Sequence, residues 1–209
     1  MTSAQSSRAY RGVSAGDRAA ARRTALIDAA LACLAADGLA GVSVRSVCAQ
    51  ARLTARYFYE AFTDLDALLV AALVSVTDEV ESASVRALDT VTPDDTAAQV
   101  RAAISAGYGV VATDAGKANV LLVATAGHRA LRTRQQQFVD DFADIVIDNL
   151  PVLHALPGQR RREARVLVLF LMAGSIELIV AVLTRRVRMS QADLVDRLTS
   201  LWLAALATL

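Results

Sequence analysis

The chain is 209 residues long, 55% hydrophobic and 21% charged, with a formal net charge of +1. That length carries one or two domains with a real core, and three prolines against abundant Ala, Leu and Val favour helix over sheet. Its two cysteines, Cys33 and Cys48, exclude a disulfide framework and match no metal-ligand spacing, so they read as buried thiols, with a redox pair as the alternative.

Charge is unevenly shared along the chain. Through Thr63 eight arginines face four acids, so this stretch is net positive by four and the remainder net negative by three. A basic head on an acidic body suits a polyanionic partner. Met1 to Gly16 is rich in Ser, Ala and Arg and lacks the apolar segment of a signal peptide. It is expected to be a disordered arm (1–16) on a cytoplasmic protein.

From Asp17 to Asp37, Ile27, Ala30, Leu31 and Leu34 recur at helical spacing until Gly38 stops the run. Ser43 can cap a short second helix carrying Val44, Val47 and Cys48. After a tight turn over 51–53, Thr54 can cap a third helix with Phe58 and Phe62 four apart on one face. This is a helix-turn-helix layout, expected to form a domain over 17–63. Beyond it, Thr63 with Asp66 predicts a capping box that opens a long helix to about Asp89. Thr92-Pro93-Asp94-Asp95 predicts another helix start. Residues 115–126 and 128–150 read as helices, and Pro151 to Gly158 breaks the chain. Residues 160–187 are again helical, and Ser190 with Asp193 opens the last helix. No stretch alternates with period two for long enough to need a strand. The expected fold is all-α, with about nine helices and a body over 64–209.

With Phe58 and Phe62 turned inward, Ala55, Arg56, Tyr59 and Glu60 share the outer face of the third helix. Arg56 has the fork geometry to bind guanine bidentately, worth about 1–3 kcal/mol of discrimination. Tyr59, Thr54 and Ser43 can donate hydroxyls to phosphate beside positive helix N-termini. Arg45 can clamp the backbone, and Arg8 and Arg11 on the arm can track a neighbouring groove.

The stretches Leu26-Ile27-Asp28-Ala29-Ala30, Ala36-Asp37-Gly38, Ser43-Val44-Arg45-Ser46-Val47-Cys48, and Leu53-Thr54 through Tyr59 to Phe62 resemble the DNA-binding domain of the TetR (tetracycline repressor) family. The match runs from about Arg22 to Leu69. The resemblance implies that Ser43, Arg45, Thr54, Ala55, Arg56 and Tyr59 contact DNA. It also implies a homodimeric repressor, released from a near-palindromic double-stranded operator by a small-molecule effector. Three positions depart from the family pattern. Arg52 stands where the turn usually has Gly, at a strain of about 1 kcal/mol. Ala61 stands where a His is common, and Leu65 where a Lys is common. Two phosphate donors are thus missing, which implies a weaker operator complex or one held chiefly by arginines.

Residues 166–183 are almost wholly apolar, interrupted by Ser175 and Glu177 and bracketed by arginines. About 18 such residues reach the lower limit of a membrane span, so a membrane-attached helical protein is the alternative reading. A central Glu is costly in lipid and both flanks are equally basic, which favours a helix buried between neighbours. The last helix offers Leu194, Leu198, Leu201, Trp202 and Ala205 as its partner stripe, predicting a homodimer through 160–187 and 190–208. The family resemblance implies an effector cavity among the middle helices, represented by Ser105, Tyr108, Thr113, Leu121, Leu122, Thr125, Phe138, Phe142, Met172 and Ile176. Tyr108, Thr125 and Glu177 are the polar candidates there, and a largely apolar effector follows. Each also has a purely structural reading, as a core aromatic, a backbone-bonded hydroxyl and an ion-paired carboxylate. The acidic set Asp140, Asp141, Asp144 and Asp148 reads as a solvated face rather than a metal site, and no cofactor is implied. No nucleophile elbow, HExxH, Walker loop or paired Cys ligands are present, so no enzyme is expected.

Overall fold

A computed structural model describes residues 14–209. Most of the expected arm, with Arg8 and Arg11, lies outside the described residues. Ser14 to Gly16 do not behave as arm. Ser14 Oγ accepts from Asp17 N at 3.0 Å and Asp17 Oδ2 accepts from Ser14 N at 3.2 Å. This reciprocal box starts the first helix two residues before the expected Asp17.

Among the described residues the chain is helical throughout, with no strand. The helices are α1 (Ala15–Asp37), α2 (Val44–Ala51), α3 (Ala55–Ala61), α4 (Leu65–Leu88), α5 (Thr96–Ala112), α6 (Ala115–Thr125), α7 (Arg129–Asn149), α8 (Pro151–His154), α9 (Gly158–Leu183) and α10 (Gln191–Leu206). A 3-10 turn, Leu39–Gly41, links α1 to α2. Gly38 ends α1 at φ 64°, with its N–H on Leu34 O. Ser43 caps α2 and Ser190 caps α10 as expected. Two predicted starts move. Asp64, not Thr63, caps α4 by accepting from Ala67 N at 2.7 Å, and Asp95, not Thr92, caps α5 by accepting from Ala98 N at 2.9 Å. In both cases a carboxylate stands closer to the helix, and its charge meets the positive N-terminus more strongly than a hydroxyl does. Residues 92–95 form a turn instead, with Asp95 N on Thr92 O. The break after Asn149 holds a short helix, α8, opened by Pro151.

One core runs from α1–α3 into the first half of α4 and into α6, joining Leu26, Leu34, Phe58, Leu68, Leu73, Val76 and Val120. A second, built by α7, α8, α9 and Trp202 of α10, centres on Phe138, Phe142, Val168 and Met172. A third joins Tyr108 of α5 to Val182, Leu194 and Leu198. The small residue in the Gly107-Tyr108-Gly109 run lets α5 approach α4 closely: a Cβ on Gly107 would lie 2.9 Å from Ser84 Oγ. The acidic face of α7 is tied to α9, with Arg165 on Asp144 at 2.7 Å and on Asp140 at 3.4 Å, and Arg161 on Asp148.

The turn between α2 and α3 carries the strain anticipated for it. Arg52 adopts φ 54°, ψ 39°, a left-handed conformation in which its Cβ crowds the backbone. Arg52→Gly is expected to stabilise the chain by about 0.5–1 kcal/mol after the extra unfolded-state freedom of glycine is counted. Thermal denaturation should show a midpoint about 1–4 °C higher; an unchanged or lower midpoint contradicts the strain.

Candidate functional site

The helix-turn-helix is fixed from beneath and open above. Phe58 of α3 is fully buried and Phe62 nearly so, their ring centroids 6.0 Å apart. Because α3 turns these two rings inward, Ala55, Arg56, Tyr59 and Glu60 all stand in solvent. The Arg56 side chain is 84% exposed, and its Nε donates to Glu60 Oε1 at 2.9 Å. That bond engages the inner edge of the guanidinium and leaves the two Nη groups at its end as a fork. Arg22 of α1 lies 3.9 Å from the same carboxylate and 4.6 Å over the Tyr57 ring, which pins α3 to α1. Tyr59 is 61% exposed and braced edge-on by Phe58 at 5.2 Å.

Ser43 and Thr54 stand at the starts of α2 and α3 but in different states. The Ser43 hydroxyl is committed to its helix, accepting from Ser46 N at 3.0 Å, while Ser46 Oγ accepts from Ser43 N and donates to Gly41 O. Thr54 makes no side-chain cap bond, so its hydroxyl remains available. Arg45, in the first turn of α2, is exposed. All six sequence-derived positions therefore lie on the solvent side of the α2–α3 pair. Cys48 is buried beneath it, and burial pushes its thiol pKa up, away from the reactive thiolate.

The body contains an apolar cavity of about 150 Å³ among α4, α5, α6, α7, α9 and α10. Tyr108, Phe142 and Met172 line it, together with Leu121, Phe138 and Ile176. Thr125 and Glu177 do not. Thr125 donates its hydroxyl to Leu122 O at 3.0 Å, and Glu177 is ion-paired with Arg186 on the surface. Both border a second, shallower groove beside Arg132 and Asp140. A hydroxyl that can bond its own helix, and a carboxylate that can keep its hydration and a cation, have no reason to enter an apolar space. Ser105, Thr113 and Leu122 also lie outside the lining.

The cavity contains residues that sequence reasoning missed. Ser175 Oγ accepts from Trp202 Nε1 at 3.1 Å, joining α9 to α10 in its wall. Thr77 and Ser84 satisfy themselves on backbone carbonyls. Gln99 is only 3% exposed and its Oε1 has no hydrogen-bond partner. A signal for Gln99 existed: it shares the α5 stripe of Ala103, Gly107 and Val111, where every other position is apolar or small. The cavity wall reaches the head through α6. Leu121 faces the cavity, while two residues earlier Asn119 Nδ2 donates to Leu34 O of α1 at 2.6 Å. His128 caps α7 without a side-chain bond to that helix, and its Nε2 lies 3.5 Å from Asp66 of α4.

Residues 26–72 match the family model TetR_N, described as bacterial regulatory proteins of the tetR family. No curated protein matches the chain in sequence. Solved structures do match its fold. The fatty acid degradation regulator FadR from Bacillus halodurans superposes with a TM-score of 0.72 at 15% identity, covering 90% of this chain and 96% of its own. A TetR-like transcriptional regulator from Rhodococcus sp. RHA1 does so at 0.66 and 19% identity, over 90% and 97%. The multidrug binding protein EbrR, crystallised with imidazole, gives 0.62 at 23% identity, over 86% and 94%. The chain thus carries a tetR-family N-terminal domain within a fold that it shares, over most of its length, with TetR-like transcriptional regulators.

Proposed function

We propose that the chain is a homodimeric transcriptional repressor that grips a near-palindromic operator through α2 and α3 and lets go when a small, largely apolar molecule fills the body cavity. The head (17–63) reads DNA, the body (64–209) dimerises and senses, and the protein works in the cytoplasm beside the chromosome. No catalysis is assigned to it. The observation that carries this reading is the Arg56 fork, held at its Nε by Glu60 and projecting from a helix whose other face is locked into the core. Such a fork suits the paired acceptors of guanine in a major groove.

In this reading Ser43, Arg45, Thr54, Ala55, Arg56 and Tyr59 meet the duplex, with Arg45, Thr54 and Tyr59 on phosphates. EbrR was crystallised with imidazole, and a cavity in the corresponding body supports effector binding here. Tyr108, Phe142 and Met172 line that cavity; Thr125 and Glu177 are left out of it. Coupling runs through α6, which faces the cavity with Leu121 and touches α1 with Asn119. An effector that prefers one α6 position over another shifts operator affinity by that difference in binding energy.

Dimerisation falls to α9 and α10. In α9, Val166 and Phe170 are 70% and 75% exposed, and Leu201 of α10 is 57% exposed. By length and composition alone α9 is apolar enough to cross a membrane. Yet Val168, Leu171, Met172 and Val180 are buried against the rest of the body, and Trp202 bonds Ser175. Lipid would have to strip all of these away, whereas a second copy needs to cover only the exposed apolar residues.

Mobility-shift titration against DNA selected by the protein tests the head. Arg56→Ala is expected to lose about 10- to 100-fold of preference for the selected sequence, the equivalent of about 1–3 kcal/mol. Arg45→Ala should weaken binding to all sequences alike and lower the salt slope by about one. Full retention of sequence preference in Arg56→Ala sinks the assignment of the reading face.

A further inference from the structure

Thr125 and Glu177 border a groove on the outer side of the α7–α9 seam. Among the described residues, only Gln135 of α7 and Ile176 of α9 line both that groove and the inner cavity. Towards the end of α7 the seam is shut: Phe138 and Phe142 share a core with Val168 and Met172, and Arg165 bonds Asp144 at 2.7 Å. Towards the start of α7 it is not, since Gln135 and Ile176 are only partly buried and no hydrogen bond holds the Gln135 amide in place. Two side chains thus separate a polar groove from an apolar space of about 150 Å³, the size that takes up one benzene ring.

The polar side chains of the groove fall into two sets. Asp140 is paired with Arg165, Glu177 is paired with Arg186, and Thr125 donates to Leu122 O. Arg132, Gln135 and Gln136 stand three and four apart on one face of α7 and have no side-chain partner among the described residues. With its carboxylates already neutralised, the groove leaves N–H donors and one positive charge to be satisfied.

We propose that cavity and groove form one site for a slender amphipathic carboxylate, whose apolar tail passes between Gln135 and Ile176 into the cavity while its head stays in the groove on Arg132. This rests on reading the cavity as the effector site and adds to it a neck, a head-group subsite and a charge. The cavity wall contains no charged side chain, so the head cannot follow the tail inward without losing its hydration unpaid. A guanidinium fork matches the two oxygens of a carboxylate, and the amides of Gln135 and Gln136 can donate to the same head. Thr125 and Glu177 then flank the head of the ligand rather than its tail.

The test uses the full chain and four probes: octanoate, octanol, octylamine (a cation at neutral pH) and butyrate. Binding is read by calorimetry and by thermal shift. Octanoate is expected to bind at least about tenfold tighter than octanol or octylamine, because only its head pairs with Arg132. It should also bind about 100-fold tighter than butyrate, whose tail is four methylenes shorter and fills less of the cavity. Arg132 is exposed and unpartnered, so Arg132→Ala should melt as the parent does. It should lose the preference for octanoate and keep its affinity for octanol. Ile176→Trp plugs the neck and should reduce octanoate to the affinity of butyrate; if that variant does not fold, the ratio of the two acids in the parent carries the same test. Equal binding of octanoate and octanol, unchanged in Arg132→Ala, overturns the head-group subsite and leaves the effector cavity standing. Equal binding of octanoate and butyrate overturns the passage of the tail. If a second copy on α9 seals the groove, the preference for the acid is absent and the proposal falls. If octanoate binds through Arg132 without releasing operator DNA, the site stands and the effector reading fails.

Discussion

On the proposed α9–α10 interface, Phe170→Asp is expected to leave a 22.1 kDa monomer, with the folded helical content unchanged. Phe170 is the most exposed large apolar side chain on α9 and makes no part of the subunit core. In a two-fold interface each substitution acts twice, because the same patch meets its own copy. Two carboxylates would then be buried opposite apolar partners, at a cost of several kcal/mol per ion, enough to abolish association at micromolar concentration. A sedimentation or light-scattering mass with a circular dichroism spectrum checks both halves of the expectation, and a folded dimer of unchanged mass would refute the interface. The contrast with Leu198 is informative. The sequence stripe puts Leu198 in the subunit contact, but the structure corrects this: Leu198 is 3% exposed and faces the cavity alongside Trp202. Leu198→Arg should therefore lose the fold, rather than release an intact monomer.

The second large effect lies where head and body touch. A Cβ added to Gly116 would sit 2.2 Å from Leu31 O and 2.7 Å from its carbonyl carbon. Backbone atoms of a buried helix cannot step aside, so Gly116→Ala must push α6 off α1. Overpacking of this kind costs about 1–3 kcal/mol and more where nothing yields, a loss of about 2–4 °C in midpoint per kcal/mol for a chain of this size. The displacement also stretches the Asn119–Leu34 bond, three residues along α6. Gly116→Ala is accordingly expected to lower both the melting midpoint and operator affinity, and to leave the residual DNA binding insensitive to a cavity ligand. Asn119→Ala, which removes the bond without a clash, should cost only about 1 kcal/mol. If Gly116→Ala melts and binds DNA as the parent does, α6 is not the rigid link proposed.

Much of the head was legible before any coordinates. The Ser43 cap, the Gly38 stop and the inward pair Phe58 and Phe62 are local patterns. Spacing along one helix and the hydrogen-bond needs of its ends decide them, and no distant residue can change them. The left-handed turn at Arg52 was legible only through the family resemblance, in which a Gly usually holds that position. Where two acceptors competed for one helix start, as with Thr63 against Asp64 and Thr92 against Asp95, the pattern named the wrong one. A motif records spacing but not which oxygen stands nearer the N–H.

The body was legible only in outline. Helix period marks α9 and α10 as apolar but gives nearly the same reading all around α9, so it cannot separate the side that meets α7 from the side left in solvent. Thr125 and Glu177 fit a polar-in-apolar pattern, yet one bonds its own helix and the other reaches Arg186. Gln99 passed unnoticed because its isolation depends on what five other helices fail to offer it. Sequence by itself thus determined most of the helices, the caps at Ser43 and Ser190 and the outward face of α3, all governed by neighbours within a turn or two. Tertiary structure alone decided which apolar residues close a cavity, which remain exposed for a partner, and which buried oxygen lacks a donor. Those outcomes depend on atoms that meet across dozens of residues, and packing rather than periodicity settles them.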